Sequence, residues 1–334
     1  MHNDIITPFN EHINSFRIQE VKTKIAVAIS GGPDSLALTL LANQWIKKFK
    51  KNKLVALTVN HNLRKESAIE SEQVHKLLAN HNIEHHILNW DHKEKILSNI
   101  QHKARVARRE LLTNWCIKHK IKTLLVAHTQ NDVVETFFMN IFRGSGIYGL
   151  SSIPQETIVN NIQIIRPLLI FTKDELKNYL RKQNIAWIED PSNKNMKFLR
   201  TKVRNLFESK DMKAIFPDKN LFLNRIITNV KNITRARHCI ESITKKETAE
   251  MVTLSSQQIL LARQKFCAAH PEIALNILSS CLITVSKEHE YKPRLNSLKL
   301  LYNFICSKAI GTKTLWKCKI KIEKDTVRIQ KEML

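Results

Sequence analysis

No Cys-x-x-Cys pair occurs in this chain. Its six cysteines, Cys116, Cys239, Cys267, Cys281, Cys306 and Cys318, are scattered, which argues against a zinc ribbon, an iron-sulfur site or a disulfide framework and leaves them as small apolar residues. Long hydrophobic runs are missing too. No apolar stretch reaches the length of a membrane span, and the polar start Met1-His2-Asn3-Asp4 carries no secretory signal, so the expected location is cytoplasmic, with no membrane partner. There is no internal repeat and no low-complexity linker. Negative charge is scarce: 30 acidic residues face 54 Lys plus Arg, a net charge of +24, and such an excess points to a polyanionic partner. Residues 211–334 hold 22 basic and 11 acidic residues, which leaves 32 and 19 for the first 210. Both halves are basic, so a polyanion could be held across the whole molecule. With 334 residues and 43% hydrophobic content, the chain can bury two or three separate cores.

What is present begins with Ser30-Gly31-Gly32-Pro33-Asp34-Ser35, placed between an apolar β-type run at 24–29 and a helix-like stretch at 36–48. Two glycines let the backbone turn tightly and come close to an anion, and the amides opening the next helix point outward with the positive end of its dipole behind them. Ser30 and Ser35 can add hydroxyl donors, and Asp34 can hold the magnesium that travels with a nucleotide. The hexapeptide matches neither the Walker A loop nor the Gly-x-Gly-x-x-Gly of dinucleotide binders. Its spacing resembles the PP-loop, Ser-Gly-Gly-x-Asp-Ser, of ATP pyrophosphatases, which split ATP into AMP and pyrophosphate.

Strand-like runs at 25–29, 54–59, 84–90 and 123–127 alternate with helical patterns at 36–48, 67–80 and 100–119. That alternation predicts an α/β fold, a doubly wound parallel sheet with ligands beyond the carboxyl ends of its strands. An amphipathic helix at 172–182 and a turn-rich Asp190-Pro191-Ser192-Asn193 close this half. Long helical patterns follow, at 221–250 and 257–266, with a β-type hairpin at 314–330. The expected domains are 1–210, nucleotide-binding and catalytic, and 211–334, smaller, basic and mainly helical.

Each strand end carries polar residues. Val59-Asn60-His61-Asn62-Leu63-Arg64 suits a nucleobase or ribose and, taken alone, suits an ordinary loop as well. Arg105 and Arg108 lie three apart on one helix face, fit for phosphate or acidic substrates or simply for solvent. In Ala127-His128-Thr129-Gln130-Asn131-Asp132-Val133-Val134-Glu135-Thr136, a helix beginning near Asn131 sets Asp132 and Glu135 on one side, able to share a magnesium or position an amine nucleophile. Asn131 or Asp132 could equally be an N-cap. Gly144, Gly146 and Gly149 form a loop able to close over substrate.

Taken in order, these segments resemble the tRNA(Ile)-lysidine synthase family. The resemblance runs from the PP-loop through the His61 segment, the Ala104-Arg105-Val106-Ala107-Arg108 helix, the His128 to Thr136 stretch and Arg143-Gly144-Ser145-Gly146-Ile147-Tyr148-Gly149-Leu150. It continues through Arg166-Pro167-Leu168-Leu169 and the Asp190 turn to Phe198-Leu199-Arg200-Thr201-Lys202-Val203-Arg204. About the first 210 residues are covered. Thr129 and Asn131 depart from the His and Asp usual there, and Arg200 to Arg204 departs from Arg-Asn-x-Ile-Arg, so one carboxylate is lost at Asn131.

The resemblance implies ATP and Mg2+ as cofactors and free L-lysine as a substrate. The RNA partner would be tRNA(Ile) with a CAU anticodon, lysine being ligated to C2 of the wobble cytidine through an adenylated intermediate. It implies nucleotide binding by Ser30, Gly31, Gly32, Pro33, Asp34, Ser35, His61, Arg108 and Gly144, metal binding by Asp34 and Asp132, and catalysis by Asp34, Asp132, Glu135, Arg200 and Arg204. A homodimer is one assembly it allows. The alternatives are another PP-loop tRNA-modifying enzyme, or a weakened or non-catalytic tRNA-binding relative, the latter motivated by Thr129 and Asn131.

Overall fold

A computed structural model of the chain describes residues 4–18, 24–49, 52–62, 66–91, 100–189, 199–255, 258–287, 293–307 and 309–332. Leu63, Arg64 and the Asp190 to Phe198 stretch lie outside the described residues. The chain divides into two compact units, Met1–Lys231 and Asn232–Leu334.

In the first unit α1 (Ile6–Asn14) precedes β1 (Ile25–Ala28), α2 (Pro33–Ile46), β2 (Leu54–Asn60), α3 (Glu66–Asn80), β3 (Glu84–Asn89), α4 (Ile100–Lys118) and β4 (Thr123–Leu125). Next come α5 (Gln130–Phe142), the single turn α6 (Ile147–Leu150), the hairpin β5 (Glu156–Val159) and β6 (Ile162–Ile165), a 3-10 turn at Pro167–Ile170, and α7 (Lys173–Lys182). Then α8 (Leu199–Glu208) and α9 (Lys210–Ile215) lead into α10 (Lys219–Met251), within which the two units divide. The strand order is β3-β2-β1-β4-β6-β5, parallel except for β5. This is the doubly wound α/β sheet that the alternation predicts.

Burial on both faces explains the apolar runs of the central strands. Along β1 and the residue after it, Ile25, Val27 and Ile29 pack into a core with Phe9, Leu38 and Trp45, whereas Ala26 and Ala28 turn to a second core with Leu112, Cys116 and Leu124. That is the two-residue period of a strand carried into two layers. Because β1 lies mid-sheet with a reversal of strand order beside it, the loop after β1 opens into a cleft at the carboxyl ends of the strands.

The second unit contains the rest of α10, then β7 (Val252–Leu254), β8 (Gln258–Ala262), α11 (Arg263–Ala268), α12 (Pro271–Ser286), α13 (Leu295–Cys306), β9 (Gly311–Leu315), β10 (Cys318–Ile322) and β11 (Thr326–Lys331). Its strands form an antiparallel sheet ordered β7-β8-β11-β10-β9. The helical pattern read at 257–266 is corrected here: residues 258–262 are a strand and only Arg263–Ala268 is helical. Ile259 and Leu261 are buried against Ile277, Leu278 and Ile329, a two-residue alternation that a five-residue apolar run cannot by itself separate from a helix. The hairpin read at 314–330 is part of this larger sheet.

Candidate active site

The loop after β1 owes its shape to one glycine more than the other. Gly31 has φ +80, and a Cβ there would lie 2.8 Å from Val74 Cγ2 and 2.9 Å from Ile188 Cδ1, so conformation and space both require glycine. Its carbonyl accepts the Ile188 amide at 3.0 Å, which braces the turn from the outside. Gly32 is the N-cap of α2, makes no side-chain cap, and is followed by Pro33 at the first helical position. The opening amides of α2 are therefore not consumed by a capping side chain, as an anion site requires. Ser35 stiffens the loop: its hydroxyl donates to the Gly32 carbonyl at 3.0 Å and accepts the Ser30 amide at 3.1 Å. Asp34 lines the cleft, and its Oδ1 is buried without a hydrogen-bond partner among the described residues. Burial raises its pKa to about 6, Lys173 opposing and Asp132 adding to the rise.

Across the cleft, α5 supplies the two carboxylates. Its N-cap is Thr129, not Asn131 or Asp132: the Thr129 amide and hydroxyl both donate to Asp132 Oδ2 at 2.8 Å, and Asp132 returns its own amide to the Thr129 hydroxyl. Asp132 thus sits at the third helical position of a capping box. One oxygen holds the helix end and Oδ1 faces the cleft, where Arg200 Nη2 donates at 2.8 Å and Lys173 Nζ at 3.1 Å. Glu135, one turn on, accepts Arg200 Nε at 2.5 Å, Arg204 Nε at 2.6 Å and, more loosely, Lys173 Nζ at 3.5 Å. Burial pushes the Asp132 carboxyl up, but Lys173, Arg200 and the Thr129 amide outweigh it and hold it well below the usual carboxylate range.

Helix α8 presents both arginines because positions four apart share a face. Thr201 and Val203 are buried and anchor the helix, leaving Arg200 and Arg204 toward Glu135. Burial alone would lower the Arg204 pKa, yet Glu135 raises it. Asn131 also has an assigned place: its side-chain oxygen accepts the Lys173 amide at 2.9 Å and ties α5 to α7.

The far wall of the cleft is basic. Arg108 lines it, its pKa lowered by burial and by Arg105, and Arg166 is lowered to about 10 by burial first and Arg105 second. Among the described residues Arg166 donates to neutral acceptors, the Pro154 carbonyl and the Thr157 hydroxyl. His61 and His128 line the same cleft, each with a buried Nδ1 that has no partner among the described residues. Both stay neutral: burial lowers His61 with help from Arg108, and takes His128 to about 3. Gly144 stands apart, at φ +66 in the turn after α5 with nothing within 4 Å of a Cβ, and is not among the residues lining the cleft.

The cleft, of about 1530 Å³, brings together eleven of the expected site residues: Ser30, Gly32, Pro33, Asp34, Ser35, His61, Arg108, Asp132, Glu135, Arg200 and Arg204. Lys173, Arg166 and His128 join them without having been expected. Arg166 and His128 stood inside recognised motifs, but nothing along the chain connects Lys173 to an acid 41 residues earlier. Among the described residues no three His, Cys, Asp or Glu side chains gather as a metal cage. The unpartnered Asp34 oxygen instead fits a cation shared with phosphate oxygens, the usual way Mg2+ is held with a nucleotide.

A family model described as a PP-loop domain matches residues 4–209. The tRNA(Ile)-lysidine synthase of Orientia tsutsugamushi (strain Boryong) is 41% identical over 279 residues, covering 82% of this chain and 62% of that protein. The tRNA(Ile)-lysidine synthase of Wolbachia pipientis wMel is 37% identical over 312 residues, 92% of this chain and 70% of the relative. That of Wolbachia sp. subsp. Brugia malayi (strain TRS) is 34% identical over 327 residues, 97% and 74%. This chain therefore spans between 62% and 74% of the length of these three relatives. Among solved structures, the U34-tRNA thiolase of Methanococcus maripaludis, with its [4Fe-4S] cluster, aligns with a TM-score of 0.57 at 20% identity, over 68% of this chain and 79% of that one. At that identity the likeness is one of fold.

Proposed function

Since the chain belongs to the tRNA(Ile)-lysidine synthase family of PP-loop proteins, we propose that it joins free L-lysine to C2 of the wobble cytidine in tRNA(Ile) with a CAU anticodon, converting ATP to AMP and pyrophosphate. The observation that carries this reading is the meeting, in one cleft, of an anion-binding glycine turn and a carboxylate pair held by Arg200, Arg204 and Lys173.

The chemistry accounts for both parts. A carbonyl oxygen is a poor leaving group, so the cytidine C2 oxygen first attacks the α-phosphorus of ATP. A P–O bond forms, the bond to the β-phosphate breaks, and pyrophosphate departs. The ε-amine of lysine then adds to C2, the C2–O bond breaks, and AMP leaves with that oxygen while the amine gives up a proton. Gly31, Gly32 and the opening amides of α2 cradle the phosphates, and pre-aligned donors of this kind are the main source of stabilisation where charge develops. Asp34, with Asp132 nearby, would hold Mg2+, which when bound neutralises triphosphate charge and steadies the leaving pyrophosphate. Lysine's amine must be neutral to attack, and Asp132 and Glu135 are the acceptors that can orient it, its proton passing to solvent. Arg200 and Arg204 pair with those carboxylates and face the adenylate. The basic second unit, with the helix α10 running into it, would contact tRNA phosphates.

The test mixes purified protein with ATP, Mg2+, labelled lysine and single tRNAs. Label should enter tRNA(Ile) with a CAU anticodon and no isoleucine tRNA with another anticodon, with one AMP per lysine incorporated. Absence of label from every tRNA would overturn the reading.

A further inference from the structure

Among the described residues, Lys173 is the one primary amine paired with the carboxylates of Asp132 and Glu135. Its backbone is fixed: the amide donates to Asn131, and the helix it opens is locked by the Thr172–Glu175 capping box, in which the Thr172 amide and hydroxyl both donate to Glu175 Oε2 at 2.7 Å. Only the side chain is free to move, and its ammonium is the loosest of the three cations on the acids. It stands 3.1 Å from Asp132 and 3.5 Å from Glu135, against 2.5 and 2.6 Å for the shortest arginine contacts. The arginines grip through rigid planar forks, whereas lysine is a point charge on a flexible stem. Lys173 also lines the cleft together with the glycine loop, and it is the cation acting most strongly on Asp34.

Resting on the function proposed above, we propose that Lys173 is a positioning residue that links the phosphate site to the amine site. When a nucleotide lies over the glycine loop, its phosphates compete for the Lys173 ammonium. The oxygens that Lys173 held, Asp132 Oδ1 and Glu135 Oε1, are then free to receive another primary amine. The enzyme's own amine and the substrate's amine are chemically the same donor, so the position that accepts one suits the other. Two carboxylates facing three cations repel an incoming ammonium; with Lys173 drawn to the phosphates, that repulsion is relieved. Nucleotide should therefore strengthen lysine binding and, by linkage, lysine should strengthen nucleotide binding equally.

The experiment is calorimetric titration of the full chain with L-lysine, with and without Mg2+ and a non-cleavable ATP analogue, for wild type, Lys173→Met and Lys173→Arg. In the wild type the analogue should tighten lysine binding about tenfold. In Lys173→Met the analogue should bind more weakly and lysine affinity should be the same with or without it, while Lys173→Arg should recover most of the analogue binding. Thermal melting accompanies each variant, and if Lys173→Met fails to fold, Lys173→Gln replaces it with the same two expectations, weaker analogue binding and a lysine affinity that ignores the analogue. A wild type whose lysine affinity ignores the analogue, or a Lys173→Met protein with undiminished coupling, overturns the linkage and leaves the parent reading standing. A wild type that binds the analogue but never lysine overturns both.

Discussion

Asp34 shows at the scale of one residue how a site is set against stability. Its carboxyl is part-buried at the mouth of α2, with Oδ1 buried and unpartnered among the described residues, and burial lifts its pKa from 3.8 to about 6. The folded state therefore binds this proton more tightly than the unfolded chain. Stability from this group is complete below about pH 4, declines between pH 4 and 6, and is missing above, at a cost of about 3 kcal/mol at neutral pH. Asp34→Asn should melt higher than wild type at pH 7.5 and no higher at pH 4, and should release no AMP; thermal melts across that range check the sign. Glu135 is the opposite case, with both its oxygens paired. Its side chain is 5% exposed and accepts from three cations, so Glu135→Gln strands arginines that are themselves about one-third exposed. The expected loss is about 2–3 kcal/mol, the low end for a broken buried pair, together with most of the lysine-dependent turnover. Denaturant titration and the labelling assay should move together.

At the scale of elements, the site is a matter of helix ends. Helix α2 begins without a side-chain cap where an anion belongs, while α5 and α7 begin with closed capping boxes that fix Asp132 and the backbone of Lys173. The glycine turn before α2 allows the most specific test. In Gly31→Ala, φ +80 costs about 1–2 kcal/mol, and the added methyl also displaces Val74 and Ile188. The variant should melt lower and show a raised KM for ATP with KM for lysine little changed, since the disturbance begins at the phosphate turn. Equal changes in both constants would mean that the turn does not serve the nucleotide alone. The strand at Gln258–Ala262 shows the limit of reading elements locally: five residues satisfy either period, and pairing with β7 and β11 decides between them.

The whole molecule carries +24 with basic residues throughout, and no helix among the described residues is long and apolar enough to cross a membrane. Binding to tRNA should therefore fall steeply with salt, log affinity against log salt giving a straight line whose slope counts displaced counterions. Filter binding between 50 and 200 mM salt, roughly a thousandfold loss for six or more phosphate contacts, measures it; a flat line would place the excess charge elsewhere than on RNA.

Residue order alone determined the parallel sheet, the glycine turn after its first strand and the acids at the end of its fourth, because strand period, turn chemistry and helix starts are local properties of the chain. Only the tertiary structure decided the company those acids keep. Lys173, Arg200 and Arg204 reach Asp132 and Glu135 across 38 to 69 residues of intervening chain, and Asp132 divides its two oxygens between a helix cap and the cleft. Long-range contact depends on how layers stack, which no local pattern encodes, and the charge state of each group follows from the burial and neighbours that stacking creates.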